Sequence, residues 1–574
     1  MQASWVAAAS LILFFIGYRY YSKFLAEKIY QLNPDFMTPA HEFKDDVDYV
    51  PANKFVLLGH HFTSIAGAAP IVGPAIAVYW GWVPAMLWVV IGTIFAAGVH
   101  DFGTMVLSVR NKGQSVGTLA DKLIGSRAKL LFLFIILILV LMVNAVFAWV
   151  ISNLFINFPA TVLSIFIQIP LAIWIGIRAY RKTGNMIVPS VIVLVVMYFT
   201  AIIASYVPLL QIDLVQYFGG AENVVIFGMT GIEMAFFIWI AVLMIYVYFA
   251  STLPVWMLLQ PRDLINAYQL VLGLGILYLG LFISSPEITA PATNPDTSDV
   301  SWFPLLFITI ACGAISGFHG LVSSGTTAKQ LDKETDARFV GYLGAIGEGS
   351  LALITIVAIV SYFNTTGEFM DVYHTFSEAG AVGLKIFVEG AAKLATALFI
   401  PIEAAQTIIA VIVISFAATT LDTSVRLMRY ILNELGEEYK IKPLTKLHTS
   451  TLIAVGTSAA LVLIPEGPRG IGSGGYLLWP LFGTSNQLLA GISLLLVTIW
   501  LKRNGRSIIY TLIPMIFILV MTLWAMTEQV IFDWSGYGET DANLLLFSFG
   551  ALILGFTIWI ILEAINLARK SQQK

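Results

Sequence analysis

Charge is what this sequence has least of. Asp, Glu, Lys and Arg make up 11% of its 574 residues, where soluble domains carry about a quarter. Hydrophobic residues make up 58%, and mean hydropathy is +0.85. A chain so poor in charge cannot cover a soluble surface, so it reads as an all-α polytopic membrane protein in contact with lipid. Basic blocks are missing and the net charge is only −3, which argues against nucleic acid as a partner and against a peripheral membrane binder. The single cysteine, Cys312, sits inside an apolar run, so neither a disulfide framework nor a cysteine-rich zinc site is open to the chain. There is no GxxxxGK[ST] segment to hold a nucleotide and no HExxH helix of a zinc protease. The apolar stretch from Ser4 to Ile16 is followed, not preceded, by Arg19, Lys23 and Lys28. That is the reverse of a cleavable signal, and the stretch reads as a retained first span.

What the sequence does have is about fifteen apolar stretches near the roughly 20-residue length that crosses a bilayer. They fall at about 4–21, 61–80, 84–109, 129–153, 159–178, 186–207, 231–253, 264–285, 303–324, 339–362, 404–428, 448–465, 476–500, 507–526 and 543–566. With the N-terminus outside and the C-terminus inside, 28 of the 31 Lys and Arg residues lie in inside loops, as the positive-inside rule asks. Arg262 counts among these loop residues. The outside connections are acidic or neutral, as with Glu287, Asp296 and Asp299, and only Lys385, Lys393 and Arg469 fall outside. The segment Phe376 to Pro401, mixed in Gly, Lys and Glu, reads as an amphipathic hairpin on the outer surface.

Two spans are interrupted. The second begins GHHFTSIAGAAPIVGP, with Gly67, Pro70, Gly73 and Pro74 inside it, and the ninth contains CGAISGFHGLVSSGTTAK. Backbone groups released by a broken helix survive in a bilayer only where they are buried in protein or line a cavity. The two spans run in opposite directions, so spans 2–6 and 9–13 form two five-helix units of inverted orientation, a layout that marks a transport site at the breaks. This arrangement resembles the LeuT-like five-plus-five fold, with span 1, spans 7 and 8, and spans 14 and 15 as additions. The bland alternative is that the glycines only let helices approach closely.

Ionisable residues at membrane depth cost at least about 2.5 kcal/mol each, so each is a candidate for coupling an ion. They are His60, His61, His100, Asp101, His319, Glu348 and Asp422. Neighbours on a helix point apart, so His100 and Asp101 are expected to serve different partners. Ser415, Thr419, Asp422 and Thr423 form a polar stripe, whose plain reading for Asp422 is an ion pair with Arg426 one turn on. Hydroxyl oxygens suit a small hard cation, and the resemblance to LeuT-like transporters implies sodium at Thr419 and Thr420 as the alternative to a proton. In FGTSNQLLAG, residues Thr484 to Gln487 fit interhelical hydrogen bonds and substrate contact equally. A helix restart at Ala68 to Val72 would offer free N–H groups to an anion. The substrate candidates are therefore Ser64, Gly67, Ala68, Ala69, Pro70 and Ile71 on one broken span. Ser316, Gly317, Phe318, His319 and Ser323 stand on the other.

Five motifs in order, HHFTSIAGAAPIVGPAIA, GVHDFGTM, SGFHGLVSSGTT, TTLDTSVRLMRYIL and FGTSNQLLAG, resemble those of the carbon starvation (CstA) family of membrane transporters. The resemblance implies an inner-membrane transporter used during nutrient limitation and carrying short peptides or, with protons, pyruvate. It also implies an N-terminal transporter domain to about residue 370, holding repeat 1 (about 59–207) and the start of repeat 2 at about 303. A C-terminal five-helix region, 371–574, would complete repeat 2 to about 500 and add two peripheral helices. The expected function is an ion-coupled symporter of a small carboxylate such as pyruvate, or of short peptides, with no cofactor and H+ as coupling ion. The competing classes are a membrane nutrient sensor, for which no soluble signalling domain is seen, and an intramembrane hydrolase, for which the adjacent histidines supply no ligand spacing.

Overall fold

The computed structural model describes residues 1–572 except 46–47, 183–185, 227, 295–296, 298–299, 465–469 and 538–540. Asp296, Asp299 and Arg469, used in the charge count, lie outside the described residues. In chain order the first helices are α1 (Ala3–Tyr30), α2 (Lys54–Ala66), α3 (Ala69–Ala77), α4 (Trp82–Val109), α5 (Ser126–Asn157), α6 (Thr161–Lys182) and α7 (Ile187–Tyr206). The middle of the chain forms α8 (Gly231–Thr252), α9 (Leu259–Ser284), α10 (Trp302–Thr309), α11 (Ala311–Ala314), α12 (Gly317–Gly325) and α13 (Glu334–Val360). The last are α14 (Phe376–Thr396), α15 (Ile402–Glu438), α16 (Leu447–Leu463), α17 (Trp479–Arg503), α18 (Ile509–Asp533) and α19 (Leu544–Gln572). Among the described residues there is no β-strand, only isolated bridges.

Twelve of these helices are long and apolar enough to cross a membrane, and α2 with α3 makes a further, bent pair. Two of the expected fifteen spans fall short by themselves: α10, α11 and α12 are three pieces, and α16 has 17 residues. The first helix continues to Tyr30, well past the expected end near residue 21. Residues 376–396 form one continuous helix rather than a hairpin lying on the surface. A capping box between Thr375 and Glu378 starts it, and its face of Ala379, Gly383, Phe387, Ala391 and Ala395 is buried against α3, α9, α13 and α15. The small residues of that face allow a helix to dock where composition suggested a surface segment.

The breaks have local causes. Asn53 caps α2 by accepting a hydrogen bond from the Phe55 N–H, and α2 ends where Gly67 takes φ +52 and ψ −149, a backbone region open essentially to glycine alone. α3 restarts at Ala69 with Pro70 in its first turn, where a missing N–H costs nothing, and the axis bends by 45°. On the other broken span, Ile315 and Ser316 are extended between α11 and α12. The two spans cross closely: a Cβ at Gly73 would collide with the Thr309 carbonyl, and one at Gly313 would lie 3.0 Å from Pro74. α15 is enclosed along nearly its whole length and packs along α5.

Candidate functional site

Four buried ionisable side chains form a continuous chain across three helices. His100 Nδ1 lies 2.8 Å from Asp101 Oδ1, Asp101 Oδ2 lies 2.9 Å from His319 Nδ1, and His319 Nε2 lies 3.0 Å from Glu348 Oε2. None is more than 1% exposed. α4 supplies the first two, the restarted helix α12 supplies His319, and α13 supplies Glu348. Contrary to the expectation from helix geometry, His100 and Asp101 both face α12, since a Cβ at Gly320 would lie 3.1 Å from the His100 ring. Thr104 on the next turn donates to the His100 carbonyl. A buried charge is tolerable only when paired, and here each carboxylate meets an imidazole. One protonated imidazole between two carboxylates leaves a single negative charge in the centre, so one added proton neutralises it. The arrangement can therefore take up and release a proton while each carboxylate keeps an imidazole partner.

The adjacent histidines of α2 diverge. His60 Nδ1 lies 2.6 Å from Asp263 on α9, while His61 Nδ1 lies 3.0 Å from Thr327 Oγ1, just beyond α12. The His61 ring also touches α13, where a Cβ at Gly344 would lie 2.7 Å from its Cδ2.

The two helix breaks have different neighbours. Gly67 faces Thr420 of α15 and Phe147 of α5, each within 2.7 Å of where its Cβ would stand, and Thr420 donates to the Ser64 carbonyl at 3.3 Å. Ala68, the N-cap of α3, supplies no side-chain cap, and Ala69, Pro70 and Ile71 follow it, all buried. At α12 the start is already served: the Phe318 N–H donates to Asn486 Oδ1 at 2.9 Å, and Asn486 Nδ2 donates to Ser316 Oγ at 2.9 Å. Gly317 lies against the backbone of α17 at Asn486 and Ala490. The space beside this glycine is thus filled by protein. The hydroxyls of Ser64, Ser323 and Ser415 are buried without partners among the described residues.

Asp422 does not pair with Arg426. It pairs with Arg262, and Tyr246 donates to the same carboxylate oxygen at 2.7 Å. Arg262 is 2% exposed within α9, so it is no loop residue. Arg426 instead donates to the carbonyls of Ala250 and Leu253 at 3.0 and 2.7 Å, satisfying the end of α8. Thr419 donates to the Ser415 carbonyl and accepts from Asn266 at 2.6 Å. Arg262, Asp263, Asn266 and Tyr246 were not among the sequence candidates. The signal was present: QPRDLIN places two opposite charges at the start of an apolar helix, where they read equally as the end of a loop.

The chain matches the family model described as carbon starvation protein CstA over residues 2–378 and 363–525. It is 32% identical over 587 residues to a peptide transporter CstA of Campylobacter jejuni, covering 92% of this chain and 80% of that protein. It is 32% identical over 608 residues to the pyruvate/proton symporter BtsT of Escherichia coli, covering 92% and 81%. A peptide transporter CstA of Bacillus subtilis is 32% identical over 600 residues, covering 97% and 96%.

Proposed function

The chain belongs to the carbon starvation protein CstA family, and on that premise we propose that this multi-pass membrane transporter is a proton-coupled symporter importing pyruvate or a similar small carboxylate. The observation that carries this reading is the buried chain His100–Asp101–His319–Glu348, which joins the broken span at α12 to α4 and α13. A transporter needs its coupling group to change charge where the substrate path reorganises, and a helix break is where a span can bend. Short peptides, the cargo named for several relatives, are the alternative substrate. The substrate carboxylate docks at the start of α3, between Gly67 and Ile71, where no side chain caps the helix and N–H groups favour an anion. Sodium at Thr419 and Thr420 is the weaker reading, because the Thr419 hydroxyl is already engaged on both sides.

In this reading the fifteen segments all cross the inner membrane, with the N-terminus outside and the C-terminus cytoplasmic. The units α2–α7 and α10–α17 are inverted LeuT-like repeats, and the N-terminal domain ends near residue 370. Support comes from the close crossing of their two broken first spans and from the packing of α5 on α15, the third helix of each unit. The test is uptake of labelled pyruvate into proteoliposomes under an imposed proton gradient. Pyruvate should compete and its uncharged amide should not. Uptake that follows sodium at constant pH and potential, or equal competition by the amide, refutes the reading.

A further inference from the structure

At the end of the bundle where basic residues gather lies a cavity of about 30 Å3, lined among others by Asp48, His60, Thr326, Lys329, Thr423 and Arg426. A water needs about 10–15 Å3 of such space, so there is room for a short file of water. Asp48, Gly325, Lys329 and Tyr430 also line a wider cavity of about 340 Å3 that reaches Gln114, Glu434 and Glu437. At this shared wall Tyr430 donates to Asp48 at 3.0 Å, and the Lys329 ammonium lies over the rings of Tyr49 and Tyr430, 5.2 and 5.5 Å from their centroids.

The two histidines of α2 each carry one unpaired ring nitrogen. His60 lines the cavity with Nδ1 held by Asp263, and its Nε2 is buried without a partner among the described residues. The Nε2 of His61 is likewise buried and unpartnered. The His61 ring rests on α13 at Gly344, one turn before Glu348 on the same helix face. Its other nitrogen meets Thr327, the neighbour of the cavity residue Thr326.

We propose that this cavity is the proton port of the symporter, with His61 and Thr327 connecting it to the His319–Glu348 pair. The inference rests on the proton-symport reading and adds the route. His61 takes a proton on Nε2 and gives up its Nδ1 proton to the Thr327 oxygen. The Thr327 hydroxyl proton passes to a water that enters from the cavity beside its neighbour Thr326, and rotation of the ring and hydroxyl restores the starting state, so one proton crosses and no atom is left changed. The charged groups around His60 are Asp263 from α9, Arg426 from α15, Lys329 beyond α12 and Asp48 before α2. Arg426 and Lys329 oppose a resident cation in the cavity, so the excess proton passes through without resting there and idle leakage is limited. Opening of the Tyr430–Asp48–Lys329 wall then joins the port to the wider cavity.

The test uses the full-length protein, without its native thiol (Cys312→Ala), in liposomes loaded with a pH-sensitive dye and supplied with pyruvate. Thr327→Val keeps the shape of the side chain and removes the hydroxyl. Thr326→Cys, measured before and after reaction with a methanethiosulfonate reagent, plugs the cavity within one folded preparation. Proton movement driven by pyruvate should fall at least about tenfold in the Val variant and on modification of the Cys variant, while pyruvate exchange at equal pH persists, because exchange needs no proton release. If the parent protein moves no protons with pyruvate, the symport reading fails and takes the port with it. If the parent is coupled and both variants stay coupled, the port alone is overturned.

Discussion

Glu348, Arg262 and Asp422 each meet a buried partner, and the partners make separate predictions. Glu348 stands at the end of the four-residue chain, 3.0 Å from His319, and a neutral amide there cannot accept a proton. Glu348→Gln should lower uptake driven by an imposed proton gradient by roughly a hundredfold, the scale of losing a positioned acid–base group. The ratio of uptake with and without the gradient is the measurement, and an undiminished ratio would remove Glu348 from the coupling role. Arg262 and Asp422 predict stability instead. Removing either charge strands the other in the interior, which costs about 3–5 kcal/mol, whereas replacing both by apolar side chains is often close to neutral. Asp422→Leu and Arg262→Met should each lower the melting temperature in detergent markedly, and the double variant should recover most of the loss. Additive losses would mean that the pair is not the principal partner of either charge.

At the scale of elements, the two broken spans differ in how their restarts are stabilised. The amide at the start of α12 is served by Asn486 from α17, so Asn486→Ala should destabilise the protein by roughly 1–3 kcal/mol, the cost of leaving a buried donor unmatched. Gly317→Ala should also destabilise, because its methyl meets α17 backbone that cannot rotate away. A substitution at Gly317 therefore cannot separate ligand binding from folding. Thermal unfolding in detergent checks both, and a Gly317→Ala protein as stable as the parent would show that α17 yields. At Gly67 the obstacle is conformation more than space, since φ +52 with ψ −149 excludes side chains even though Phe147 could turn aside.

At the scale of the whole molecule, the orientation rests on where the basic residues collect. Ser377 begins α14, near Tyr476 before α17, whereas Ser507 follows the other end of α17. Both are exposed. In a Cys312→Ala background, Ser377→Cys should react with an impermeant thiol reagent added to intact cells, and Ser507→Cys should react only after the membrane is opened. The reverse pattern would invert the topology and move the proton port to the outer face.

Composition and the order of apolar runs were enough to show a membrane protein with many crossings, because exclusion of charge from lipid acts on each segment by itself. The two interruptions were legible for a similar reason: Gly67 and the glycine-rich stretch around Ser316 act through local backbone geometry. Pairing was another matter. A helix that is apolar all round carries little record of how it is rotated or which neighbour it meets. So sequence spacing matches Asp422 to Arg426, its near neighbour, although Arg262 reaches it from α9, and separates His100 from Asp101 although both meet α12. The docking of residues 376–396 was likewise invisible, since its small-residue face acquires meaning only against α3, α13 and α15. Sequence alone determined which segments leave water and where two of them break. The tertiary structure decided which buried charges meet, because that depends on helix rotation and on contacts between segments hundreds of residues apart.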